Sequence, residues 1–334
     1  MVVALMTACW AMSSVTRPPV NARLTPSQGP TDETYAVIHG WPRLPDGIIL
    51  GQVSGLDVDS HNHVLVFRRA EKAWLASDFS PQPIASPVVM MFDAASGELL
   101  ASWGEGMFVM PHGLTVDHQD NIWLTDVGLH QVFKFAHSGQ ILLTVGERGR
   151  AGASASRFNR PTDVAVAGDG SFYVSDGYNN SRVVKFSADG RYLFEWGRRG
   201  TGPGQFDVPH SVELDSTGRV YVADRGNARV QIFDAMGKYL SEIKGADYGR
   251  PWAVRIGPDG HLYLVDGGDQ PERFPDRARV LKTDLDGRIV DSFGRYGNYD
   301  GQFVWPHCVA IGLDGAVYVG DVSTGMRAQK FVRQ

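Results

Sequence analysis

The chain has 334 residues, 39 of them glycine; about 12% glycine against a usual 7% or so, without a three-residue period, points to many tight turns and excludes collagen. With 43% hydrophobic and 21% charged residues and a net charge of −5, it is globular, and it lacks the basic footprint of a nucleic-acid binder. Its two cysteines, Cys9 and Cys308, exclude a disulfide framework and a cysteine-rich metal site.

Met1 to Val15 is a long uncharged apolar stretch, too short to span a bilayer. Val20-Asn21-Ala22 follows, so residues 1–30 read as an export leader cleaved after Ala22. Met6-Thr7-Ala8-Cys9 loosely resembles a lipoprotein box, a second route to export with a lipid anchor. The alternative is a disordered leader. In either case residues 31–334 are expected to form one domain, in a periplasmic or secreted protein if the leader directs export and in a cytosolic one if it does not.

From Val53 onward the chain repeats itself about every fifty residues. Five clear copies open at Pro111, Pro161, Pro209, Pro251 and Pro306, as in PHGLTVDHQDNIWLTD and PHSVELDSTGRVYVAD. Each has an alternating strand, a turn rich in Asp and Gly, and a second alternating strand ending in Asp. Period-two alternation marks half-buried antiparallel strands, and the turns are hairpin turns. Further strands follow, for example Arg182–Phe186 and Tyr192–Trp196. An earlier, divergent copy runs through Val53–Asp59, Val64–Phe67, Val88–Phe92 and Leu99–Trp103. The last copy ends after three strands, and Tyr35–His39 is positioned to supply the fourth. Six four-stranded units closed this way predict an all-β, six-bladed β-propeller. An open solenoid would need capping repeats, and the sequence has none. The wording of the repeat, best seen in Tyr221–Phe233, resembles NHL repeats.

The residue after the opening proline differs between copies. In chain order it is Ser54, His112, Thr162, His210, Trp252 and His307. Histidine recurs in every second unit, at separations of 98 and 97 residues. With 10 histidines in 334 positions, chance would place three there roughly three times in a hundred thousand, given the alignment. The first strand of a blade lies nearest the axis, so these imidazoles should converge on the channel. That suits a three-histidine zinc site with an open position. Packing at the blade entrance is the alternative.

The loop after the second strand returns to the same face. It carries Tyr178, Arg225, Arg68 and Arg69. A phenol beside a metal serves as general acid or base, and arginine forks bind carboxylates. The competing reading makes Arg225 a repeat residue paired with Asp224 or its neighbours. Asp126, Asp176, Asp224, Asp266 and Asp321 recur in all five clear copies and are expected to accept backbone hydrogen bonds. Trp123, Tyr173, Tyr221 and Tyr263 are expected to pack between blades.

More specific motifs run in order: Val53-Ser-Gly, Met110–Leu114, Thr125–Phe133, Pro161–Val166, Val174–Tyr178 with Asn180-Ser-Arg182, and Gly204–Ser211. Together they look like the peptidyl-α-hydroxyglycine α-amidating lyases, the second catalytic module of the peptide-amidating enzyme. The resemblance covers most of the propeller. It implies zinc on His112, His210 and His307, a catalytic Tyr178, and active-site arginines at Arg69 and Arg225. It also implies a channel calcium on the carbonyls of Leu56 and Leu114 and on an aspartate after the third histidine. Cys308 stands there instead, and a neutral thiol is a poor ligand for a hard cation. Trp305 replaces a methionine of the animal enzymes and is expected to reshape the substrate pocket.

The reaction implied is cleavage of the N–Cα bond of a peptidyl or N-acyl α-hydroxyglycine to an amide and glyoxylate, by a monomer. Two rival readings remain at this level. One is a non-catalytic propeller that binds a peptide or glycan. The other is a lactonase-like metal hydrolase, against which the three histidines argue, since such sites use mainly oxygen ligands.

Overall fold

The computed structural model describes residues 34–75, 79–268 and 277–334. The expected leader, with its cleavage site and Cys9, lies outside these residues. Among the described residues, no helix is long and apolar enough to cross a membrane.

Six antiparallel four-stranded sheets follow one another along the chain. Their innermost strands are Val53–Val58, Pro111–Val116, Pro161–Val166, Pro209–Leu214, Pro251–Ile256 and Pro306–Ile311. These are blades 1 to 6. Each inner strand packs beside the next, and that of blade 6 returns to that of blade 1, so the sheets form a closed six-bladed β-propeller. The last blade is completed by Tyr35–Val37, which pairs antiparallel with Arg327–Arg333, Tyr35 opposite Arg333. The expected closing strand is therefore present.

The core lies between blades. Trp123 and Val132 of blade 2 pack on Phe172 and Val174 of blade 3. Tyr173 and Tyr221 are buried the same way, and their hydroxyls donate to the carbonyls of Ala235 and Leu285 in the following blade. Each sheet thus buries both faces against neighbours, which accounts for aromatic residues at fixed strand positions.

The strand-end aspartates have the structural role expected. Asp126 is fully buried and accepts backbone N–H groups from Val109, Met110, Gly128 and Leu129. Asp321 likewise holds the amides of Val304 and Trp305. These bonds tie the loop that enters a blade to the end of its second strand.

The register contains a feature that the repeat pattern did not reveal. In blades 2 to 6 the opening proline pairs with the closing aspartate, and the ladder then skips immediately afterwards. Val53 and Arg68 pair in the same way in blade 1. The skip falls on residues 54, 112, 162, 210, 252 and 307. A bulge frees a residue from the ladder and re-aims its side chain, so the histidine positions leave the pleat and face the channel.

Candidate metal centre and active-site cleft

His112, His210 and His307 are each at most 3% exposed. Their ring centroids are 4.7, 4.8 and 4.9 Å apart, a nearly equilateral triangle about the axis. Each Nδ1 meets the carbonyl of the bulge residue in the next blade: His112 to Thr162 at 2.7 Å, His210 to Trp252 at 2.6 Å, and His307 to Ser54 at 2.9 Å. A carbonyl only accepts, so Nδ1 must carry the proton and Nε2 the lone pair. Three lone pairs therefore point at one spot. The alternation of histidine with Ser54, Thr162 and Trp252 supplies both halves of this arrangement.

Burial holds all three imidazoles well below their ordinary 6.5, aided by Arg69 at His112, Arg225 at His210 and His112 at His307. They are neutral at physiological pH, as a metal requires. The buried Nε2 of His307 has no hydrogen-bond partner. An orphaned buried acceptor, aimed with two others, fits a divalent metal well. The second-sphere carbonyls would orient all three ligands.

The Tyr178 hydroxyl lies 3.0 Å from Nε2 of His112 and 3.0 Å from Nε2 of His210. Gly177 makes that position possible: a Cβ there would lie 1.8 Å from the carbonyl oxygen of Pro209. Beside Tyr178 opens a cleft of about 550 Å³ whose walls include Arg69, Trp74, Arg225, Trp252, Trp305 and His307.

Arg69 is 1% exposed. Its Nε donates to the carbonyl of Pro111 and its Nη1 to Oε1 of Gln52, while Nη2 has no partner. Burial lowers its pKa to about 10, which leaves it cationic. Arg68 has a different task, donating to the carbonyls of Ile49 and Leu50.

The guanidinium of Arg225 lies 4.1 Å over Trp252 and 5.4 Å from the Tyr178 ring centre. A one-turn 3-10 helix, Arg225–Asn227, presents it. Asp224 pairs instead with Arg229 at 2.8 Å, so the repeat partner of that aspartate is not Arg225. The indole nitrogens of Trp252 and Trp305 are buried without partners. The Trp74 ring lies 4.7 Å from that of Tyr178, tilted against it by 36°. Sequence reasoning assigned Trp74 and Trp252 no place in the site. Trp252 had a signal, since it shares the histidine register; Trp74 belongs to no repeat position.

The calcium site that the resemblance implies, and against which Cys308 already argued, does not fit these residues. The Leu114 carbonyl accepts Nη2 of Arg255 at 3.2 Å. That guanidinium also grips Asp163 with both nitrogens, at 2.9 and 3.1 Å. A protein cation thus holds the channel where the ion was expected. Leu56 lies on the neighbouring inner strand of blade 1. Cys308 is buried between blades 6 and 1, its sulfur 3.8 Å from the Val53 carbonyl, and burial pushes its thiol up. It is not among the converging ligand atoms.

Residues 108–135, 158–186 and 206–233 match the NHL repeat family. Peptidyl-alpha-hydroxyglycine alpha-amidating lyase 2 of Drosophila melanogaster is 33% identical over 319 residues, covering 89% of this chain and 74% of that protein. The chain belongs to the peptidyl-α-hydroxyglycine α-amidating lyase family. The peptidyl-glycine alpha-amidating monooxygenase B of Xenopus laevis is 38% identical over 303 residues, 84% of this chain, which spans 34% of that longer protein. The human NHL repeat-containing protein 3 is 33% identical over 89% of this chain and 84% of its own length. A solved streptogramin B lyase structure aligns with a TM-score of 0.58 at 14% identity, over 90% of this chain and 98% of that one. At that identity the likeness concerns the propeller alone. In this chain Cys308 borders the channel and Trp305 the cleft.

Proposed function

We propose that this chain is a zinc lyase that splits a peptidyl or N-acyl α-hydroxyglycine into an amide and glyoxylate. The observation that carries the proposal is the convergence of three neutral Nε2 atoms, each fixed by an Nδ1–carbonyl bond, beside the Tyr178 hydroxyl. His112, His210 and His307 would hold the metal. Zinc bound there supplies Lewis acidity and makes a hydroxyl that it polarises easier to deprotonate.

The chain's own residues account for the rest. Cleavage removes a proton from the substrate hydroxyl, forms the aldehyde C=O as the N–Cα bond breaks, and delivers a proton to the amide nitrogen. Tyr178 would relay that proton; in support, its hydroxyl sits between two histidines and borders the cleft. The free Nη2 of Arg69 and the Arg225 guanidinium offer a fork for the glycine carboxylate. The unpartnered indole N–H groups of Trp252 and Trp305 offer donors for acyl oxygens, and their rings exclude water.

The test is glyoxylate release from an N-acyl α-hydroxyglycine, before chelation, after it, and after zinc is restored. Release should vanish on chelation and return with zinc. In the same assay Tyr178→Phe should lose about 10²–10⁴-fold in kcat while its zinc content stays unchanged. No release from zinc-loaded protein would favour a binding propeller.

A further inference from the structure

On the opposite face of the ring, the turns of blades 1 and 2 bring together Asp59, His61, His63 and His137. One ligand atom from each lies within 4.8 Å of all the others. Asp59 and His61 belong to the turn between Val53–Val58 and His63–Arg68, and His63 opens the second of these strands. His137 follows the strand Gln131–Phe135 of blade 2.

The repeat itself provides the control. Asp117 and Asp215 occupy the equivalent turns of blades 2 and 4. In each, Oδ1 accepts two backbone amides, those of Gln119 and Asn121 or of Thr217 and Arg219. The second oxygen then meets a permanent cation, Lys134 at 3.6 Å or Arg219 at 2.6 Å. Asp59 keeps the first half of the pattern, its Oδ1 holding the amides of His61 and His63. Its Oδ2 meets imidazoles instead, His63 Nδ1 at 2.9 Å and His137 Nε2 at 2.8 Å.

The Asp59 side chain is fully buried, while those of His63 and His137 are 27% and 37% exposed. The His61 ring stands 5.7 Å from that of His63 and 6.1 Å from that of His137. Asp120, 3.8 Å from His61, adds a further negative charge. Where its counterparts meet a fixed cation, this buried carboxylate meets two imidazoles, with the His61 ring beside them and the cluster reachable from solvent.

We propose that Asp59, His61, His63 and His137 form a second site for a divalent transition metal, zinc by donor set, which pins blade 1 to blade 2. Three imidazole nitrogens and one carboxylate oxygen make a closed tetrahedral set of the structural kind. The ring nitrogens now facing Asp59 would bind as lone pairs, with the protons on the far nitrogens. The site is separate from the channel histidines and does not depend on the lyase reading.

The experiment is zinc analysis of the full chain after stripping, reloading and removal of excess metal. Wild type should hold about two equivalents per chain. His63→Gln/His137→Gln should hold about one and keep its lyase activity, and His210→Gln should lose the other equivalent. Zinc should also raise the melting temperature of His210→Gln, because a ligand that binds only the folded state stabilises it. About one equivalent in wild type, unchanged in His63→Gln/His137→Gln, would overturn the proposal. So would a melting temperature of His210→Gln indifferent to zinc, a readout that stands even if the double variant folds poorly.

Discussion

At the scale of single residues, the channel histidines combine burial with a fixed tautomer. Their pKa values are held well below 6.5 by burial first. The unfolded chain titrates them near the ordinary value. Above about 6.5 both states are neutral and the histidines cost nothing. As pH falls below that, the unfolded state takes up protons that the folded state refuses, so stability is lost toward acid. The metal-free protein should therefore lose stability from pH 6.5 to 5 more steeply than His112→Gln/His210→Gln/His307→Gln, by at most about 1.4 kcal/mol per pH unit for each imidazole. Urea titrations at several pH values read this directly. Glu213, which burial raises to about 7, works with the opposite sign, but it is present in both proteins and cancels in the difference.

Among the elements, the strand Tyr35–Val37 has the largest consequence for its size. It is three residues long and closes the last blade by pairing with Arg327–Arg333. Tyr35 anchors it, 3% exposed and stacked 4.5 Å from Phe293 of blade 5. Without it the strand Arg327–Arg333 becomes an open edge, ready to pair with another chain. Tyr35→Ala should cost about 3 kcal/mol, as for other large buried aromatics, measured by chemical denaturation. Aggregation during refolding should rise with it.

At the scale of the whole molecule, the six inner strands leave a channel that must be filled or hydrated. Arg255 fills part of it. Its guanidinium joins Asp163 of blade 3 to Ser211 of blade 4 and to the Leu114 carbonyl of blade 2. Its own strand belongs to blade 5. One side chain thus ties four blades together at the axis. Arg255→Met should destabilise the protein by about 3–5 kcal/mol, because it leaves the Asp163 carboxylate buried and unpaired. Adding Asp163→Asn should recover much of that loss.

The blade count, the strand order and the three histidines were all legible in the sequence. They are local or repeated features: period-two alternation, Asp-Gly turns, and a residue type that stands out once the repeats are aligned. The strand Tyr35–Val37 was legible too, because a propeller with a three-stranded last blade needs a partner. Tertiary structure decided what depends on neighbours distant in the chain. The bulge that turns His112, His210 and His307 inward is visible only in the pairing of two strands. The carbonyls that fix their tautomers come from the next blade. Arg255 sits in the channel because residues from four blades meet there, and Trp74 reached the cleft from outside the repeat. Periodicity records which face a side chain takes within its own sheet; what that side chain meets is set by closure of the ring.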